Sequence, residues 1–166
     1  MSKKFSDLGI LAPILKSLSD LKISEPTEIQ EKTIPVILNK TDDFVGLAKT
    51  GTGKTAAFGL PLLQLIDLNN QYIQAVILVP TRELGHQIFS NMEAYATYLP
   101  EISMAATCGG IPIKPQIERL TKTTHIVIAT PGRLIDLVKR KAIDIKQVSY
   151  LILDEADEMV TSLKEG

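Results

Sequence analysis

The stretch Ala48-Lys49-Thr50-Gly51-Thr52-Gly53-Lys54-Thr55 decides how the chain is read. It follows a short apolar run, Phe44 to Leu47, and precedes a helical pattern from Ala56 to Ile66. Strand, glycine loop, helix is the context of a phosphate-binding loop. Gly51 and Gly53 let the backbone curl and bring its N–H groups close to an anion. The helix then starts at the anion, presenting unpaired N–H groups and its positive dipole end. Lys54 adds a full positive charge, and the Thr55 hydroxyl suits a Mg²⁺ ligand. Thr50, Thr52 and Ala56 flank these residues and join them as candidate nucleotide contacts. Ala48, small enough for the same turn, stands where such loops usually have their first glycine.

Outward from this loop, strands and helices alternate. Strands are expected at Ala75–Val79, Ser103–Thr107, His125–Ala129 and Tyr150–Leu153, besides Phe44–Leu47. Helical patterns run from Leu84 to Tyr98, Pro115 to Leu120 and Pro131 to Arg140. The runs at 75–79, 125–129 and 150–153 are apolar without alternation, as in parallel strands covered on both faces. That argues for a doubly wound α/β domain. Before the loop, the leucine spacing over residues 6–21 is helical, and a second helical stripe follows Thr27, interrupted by Pro35. Phe58, Phe89 and Met92 read as core.

The 166 residues, 45% apolar and 22% charged, suit one soluble globular domain. No apolar run is long enough to cross a bilayer, and the first residues lack a signal-peptide core. The single cysteine, Cys108, excludes an internal disulfide and fits a reducing, cytoplasmic setting as a small buried hydrophobe. The net charge of −1 points to no nucleic-acid partner, so any such reading rests on local sites.

Each apolar run ends in a polar cluster, and parallel strands bring such ends to one rim, where ligands bind. Asp154-Glu155 after Tyr150–Leu153 reads as the acidic partner of a phosphate loop: Asp154 holds Mg²⁺ and Glu155 orients the attacking water. Thr130-Pro131-Gly132-Arg133 looks like a helix start, with Thr130 as N-cap, and is also an anion site. Pro80-Thr81-Arg82 repeats the design one unit earlier, and Gly109-Gly110 bares backbone N–H groups. Three anion-suited corners beyond the nucleotide loop suggest an extended polyanion, with a nucleic-acid backbone as the natural candidate. Thr27 and Gln30 have the spacing of a capping box. A carboxamide also matches the donor and acceptor of adenine, favouring ATP over GTP. The residues alone leave both readings of Gln30 open.

In order, Pro26-Thr27-Glu28-Ile29-Gln30, the loop Ala48 to Thr55, Pro80-Thr81-Arg82-Glu83-Leu84, Gly109-Gly110, Thr130-Pro131-Gly132-Arg133 and Asp154-Glu155-Ala156-Asp157 resemble the Q motif, motifs I, Ia and GG, then Ib and II, of DEAD-box RNA helicases. The resemblance covers Phe5 to about Met159. It implies a RecA-like three-layer P-loop NTPase fold, a parallel sheet with helices on both faces. It implies ATP and Mg²⁺ as cofactors and RNA as partner, held mainly by its sugar-phosphate backbone. Lys54, Asp154 and Glu155 would form the catalytic set, with Thr55 and Asp154 at the metal. Gln30 would read adenine, Ile23 would offer it an apolar face, and Phe5 would brace the Q motif. Pro80, Thr81, Arg82, Gly109, Gly110, Thr130, Pro131, Gly132 and Arg133 would line the RNA path. Four positions depart from the family pattern: Lys22-Ile23 replace Gly and an aromatic, Glu28 replaces Pro, and Gly85 replaces Ala.

Nothing matches the family's Ser-Ala-Thr motif or its second RecA-like domain with arginine fingers. The expectation is therefore a C-terminally truncated N-terminal RecA-like domain over 1–166, with Q motif 22–30, P-loop 48–55 and acidic motif 154–157. The missing strand would leave a slot in the sheet and bare two apolar edges. The parent would be a cytoplasmic monomer that hydrolyses ATP and separates RNA strands, and the fragment alone would be inactive. Two other readings are an RNA clamp or assembly factor without unwinding, which the intact Glu155 disfavours, and a DNA translocase with the same core.

Overall fold

The computed structural model describes residues 3–40, 43–49, 51–120 and 123–164. In chain order its elements are α1 (Ala12–Asp20), α2 (Glu28–Asn39), α3 (Lys54–Leu65), β1 (Ala75–Leu78), α4 (Arg82–Tyr95), β2 (Ser103–Thr107), α5 (Lys114–Arg119), β3 (Thr124–Ala129), α6 (Pro131–Lys139), β4 (Tyr150–Leu153) and α7 (Ala156–Lys164). They divide into two units, Met1–Ile66 with Asn91–Glu101, and Asp67–Ser90 with Ile102–Gly166.

The second unit is built on a four-stranded parallel sheet of order β2-β3-β1-β4. β3 is paired on both sides and buried along its whole length. Its apolar run is explained by that placement, since both faces are covered. Val76, Val127 and Ala129 pack on one face with Leu137 of α6, and Ile117 of α5 leans on the same cluster. Ile128 lies on the opposite face, where Gly85 of α4 approaches it. Helices thus cover both faces of the α/β sheet, as expected. The polar clusters after β1, β2, β3 and β4 all follow the C-terminal ends of parallel strands and share one edge. The fifth cluster, the glycine loop, belongs to the first unit.

In the first unit, α2 and α3 pack against each other. The helix expected over 6–21 is two pieces. A 3₁₀ turn at Phe5–Leu8 ends at Gly9 with φ +87°, and α1 starts afresh with Pro13 in its first turn. The leucine spacing runs across this break, but the left-handed Gly9 does not propagate a helix. Pro35 does not interrupt α2, which continues to Asn39 and ends at Lys40 in left-handed backbone. Met92 is fully buried as expected, whereas Phe58 and Phe89 are only half-buried.

The strand expected at Phe44–Leu47 is not formed; residues 43–49 carry no regular structure. Val45 is 85% and Leu47 93% exposed. A strand exists by pairing its N–H and C=O groups, and among the described residues these pair with no other strand. Among the described residues β4 pairs only with β1, as the outer strand of the sheet. Leu151 and Leu153 stand 61% and 51% exposed on one of its faces, so this run lacks the cover on both faces that its apolar sequence predicts.

Two features make stability testable. Gly85, unexpected within a helix, lies against the buried Cys108; a Cβ there would meet Cys108 Sγ at 2.5 Å and Val79 at 3.3 Å. Gly85→Ala should therefore destabilise by about 1–3 kcal/mol through overpacking. In a Cys108→Ala background it should be neutral or stabilising by up to about 1 kcal/mol, because the helix prefers alanine; urea unfolding of the double-mutant cycle reads this. His125 is buried at the start of β3, and its Nδ1 accepts from the Ser103 N–H at 3.0 Å. Burial lowers its pKa, with a backbone hydrogen bond at Asn70 opposing. The fold then favours neutral imidazole. Stability should be full above about pH 6.5 and fall as pH drops below it. His125→Gln should flatten that part of the pH profile.

Candidate functional site

The glycine loop is held by the start of α2. Gln30 is buried, and its carboxamide works in two directions. Oε1 accepts from the Thr27 N–H at 2.9 Å, closing the capping box, while Nε2 donates to the Gly53 carbonyl at 3.0 Å. The Thr27 hydroxyl donates to the Thr52 carbonyl at 2.9 Å, and the Thr52 hydroxyl to the Lys49 carbonyl at 2.7 Å. Gly51 and Gly53 have φ +81° and +85°, backbone that strongly favours glycine. A side chain at Gly53 would also run into the Gln30 amide. Lys54 and Thr55 open α3, whose first N–H groups have no acceptor within the helix. Thr55 is half-buried and Ala56 buried. Thr50 lies outside the described residues. Phe5 and Ile23 do come together, lining a cleft of about 510 Å³ with Leu15, Leu18, Lys4 and Lys22; Gln30 and the loop are not part of its wall.

In the second unit the acidic cluster sits at the tip of β4. Asp154 is 8% exposed, and its N–H pairs with the Leu78 carbonyl at 3.0 Å. Glu155 has φ +53°, a left-handed backbone uncommon for glutamate. Its side chain hydrogen-bonds Glu158; that bond, desolvation and the negative charges of Glu155 and Asp157 raise the Glu158 pKa. Both Asp154 and Thr55 offer the hard oxygen donors that Mg²⁺ takes.

The remaining rim residues also make bonds within the fold. Thr81 caps α4 through its hydroxyl, which accepts from the Leu84 N–H at 3.2 Å. Thr130 occupies the N-cap position of α6 but makes no side-chain cap; its hydroxyl accepts from the Gly109 N–H at 3.0 Å, across to the neighbouring turn. Pro131 takes the first helical position, and Gly132 is exposed. Pro80 is half-buried, and Arg82 pairs with the exposed Glu83 at 3.2 Å. Arg133, expected to face a polyanion, donates to the Ile111 carbonyl at 2.7 Å and to Gln116 Oε1. Gln116 escaped the sequence reading. The available signal was its place on the apolar stripe of Ile113, Ile117 and Leu120.

Among the described residues no helix is long and apolar enough to cross a membrane, and no group of three or more His, Cys, Asp or Glu is placed to hold a metal. The family model described as DEAD/DEAH box helicase matches residues 27–165. The chain is 43% identical over 157 residues to an ATP-dependent RNA helicase DeaD of Mycobacterium tuberculosis, covering 95% of this chain and 28% of that protein. It is 44% identical to the protein of that name in Escherichia coli K12, covering 94% and 25%. It is also 44% identical to an ATP-dependent RNA helicase CshA of Listeria monocytogenes, covering 95% and 30%. The crystal structure of a DEAD box protein from the hyperthermophile Methanococcus jannaschii superposes with a TM-score of 0.87 at 39% identity, over 98% of this chain and 44% of that one. The chain thus spans between a quarter and a third of the length of these curated relatives.

Gln30→Glu separates the two tasks of this residue. A glutamate still closes a capping box but cannot donate to Gly53. It should cost about 1–3 kcal/mol by setting an acceptor against the Gly53 carbonyl. Amide exchange at Gly51 to Lys54 should accelerate more than in α2.

Proposed function

The chain belongs to the DEAD/DEAH box helicase family, and on that premise we propose that it carries the nucleotide loop and one RNA-binding face of an ATP-dependent RNA helicase. The observation that carries this reading is the shared edge of the second unit, where Thr81-Arg82, Gly109-Gly110 and Thr130–Arg133 line up with Asp154-Glu155 at the ends of parallel strands. A catalytic carboxylate beside three anion-suited turns fits an enzyme that couples phosphoryl chemistry to a grip on a polyanion.

Each residue has a proposed task. Backbone N–H groups from Gly51 to Ala56, with Thr50 and Thr52, cradle the phosphates, and Lys54 offsets their charge. Thr55 and Asp154 are each proposed as an oxygen donor to Mg²⁺, which would supply charge neutralisation at the phosphates when bound. Glu155 orients a water and takes its proton as the water oxygen bonds to the terminal phosphorus and the bond to the departing ADP breaks. Gln30 has one bond on each polar atom here, so a donor and an acceptor remain for adenine. Ile23 offers adenine an apolar face, and Phe5 braces the Q motif. The rim residues contact the RNA sugar-phosphate backbone, which holds without reading sequence. A second RecA-like domain of the same parent supplies the arginine fingers, and the parent acts as a cytoplasmic monomer. The intact Glu155 favours turnover, with local strand separation, over a passive clamp.

Phosphate release with and without RNA tests this. Arginine fingers are worth roughly 10³–10⁵ in rate. The 166-residue chain alone should therefore hydrolyse ATP at least about 10³-fold more slowly than a protein carrying both domains. In the two-domain protein, Glu155→Gln should lower RNA-stimulated turnover by roughly 10²–10⁴-fold. Fragment turnover at the two-domain rate would sink the proposal. Stimulation by DNA strands as strong as by RNA would favour a DNA translocase.

A further inference from the structure

Gln116 lies in α5 and is 3% exposed. A buried carboxamide must find partners, and this one finds two. Its Nε2 donates to the Cys108 carbonyl at 2.9 Å, and its Oε1 accepts from Arg133. Arg133 in turn donates to the Ile111 carbonyl at 2.7 Å. The carbonyls on either side of Gly109-Gly110 are thus fastened by one linked network. The Gly109 N–H is fastened as well, by Thr130. Gly110, with φ +81°, keeps an N–H that no acceptor among the described residues takes, and Arg82 Nη1 would lie 3.7 Å from a Cβ placed there.

The choice of side chain matters. Among the described residues, no carboxylate lies within ion-pair distance of Arg133. Its partners are a neutral amide and a carbonyl, so its positive charge is held in place without being cancelled. A carboxylate at 116 would hold Arg133 equally well, yet it would neutralise the charge and could not donate to Cys108. Leu or Met would fill the space but release both partners. A carboxamide does what neither alternative does.

We infer that Gln116 is a positioning residue for RNA binding: it sets the Gly109–Gly110 turn and keeps an uncompensated Arg133 fixed beside it. This rests on the RNA reading proposed above. Two measurements test it in the same protein. The first is fluorescence anisotropy with a short labelled oligouridylate across a range of salt. Gln116→Glu should weaken binding about 3–10-fold at low salt and reduce the salt slope by about 0.7, the loss of roughly one phosphate-neutralising charge on a single strand. Gln116→Met should weaken binding with the slope nearly unchanged. The second measurement is amide exchange, which should speed up at Gly109, Gly110 and Ile111 in both variants while β3 keeps its protection. A purely structural role would lower the unfolding midpoint of both variants and leave the salt slope alone, which would overturn the inference. So would unchanged exchange at the turn. If the wild-type protein binds no oligouridylate, the RNA reading fails; exchange at the turn then decides by itself whether Gln116 sets it.

Discussion

The parallel pairing of β3 with both β2 and β1 is the constraint from which the rest of the second unit follows. A parallel pair cannot be closed by a tight turn, so the chain must cross over a face of the sheet between strands. Here it does so through helices, and each crossover begins at the same edge. Helix starts and strand ends therefore gather there without any further instruction. The functional chemistry is then a matter of which residues occupy those turns.

Those turns are not left to themselves. In each unit a buried glutamine ties a glycine turn to a helix: Gln30 reaches Gly53 in the first, Gln116 reaches Cys108 in the second. The carboxamide suits the task because it donates and accepts at once. Backbone turns present both carbonyls and N–H groups, and both need partners where water is excluded. The same economy explains Thr130 and Arg133, whose polar atoms hold the neighbouring turn before they meet any ligand.

Much of this was legible in the sequence, for identifiable reasons. The runs at Ala75–Val79 and His125–Ala129 announce strands because burial on both faces demands apolar residues throughout, whereas Tyr150–Leu153 has the same apolar look with one face left exposed. The glycine loop announces itself because its turn leaves little choice of residue. Phe44–Leu47 has the same apolar look, but a strand is a property of a pair, and the partner is not encoded in the run. The leucines over 6–21 keep helical spacing through Gly9, so spacing alone hides the break. Gln116 is easily missed because a glutamine on a short helix ordinarily faces water; its place on the stripe of Ile113, Ile117 and Leu120 is the one sign in the sequence that it is buried. Gly85 looked like a weakness in α4 until Cys108, far along the sequence, was seen to occupy the space its side chain would need.

The left-handed backbone at Glu155 carries a consequence for how sequences of this kind can change. Such a conformation costs a residue other than glycine or asparagine roughly 1–3 kcal/mol, a sizeable share of the 5–15 kcal/mol by which folds typically persist. If Glu155 serves the hydrolysis proposed above, thermal tolerance and turnover pull this position in opposite directions. A library screened only for heat resistance should drift toward glycine or asparagine at 155, while one screened for hydrolysis should retain glutamate. An acid in this conformation marks a position where the proposed chemistry, rather than backbone preference, would set the choice of residue.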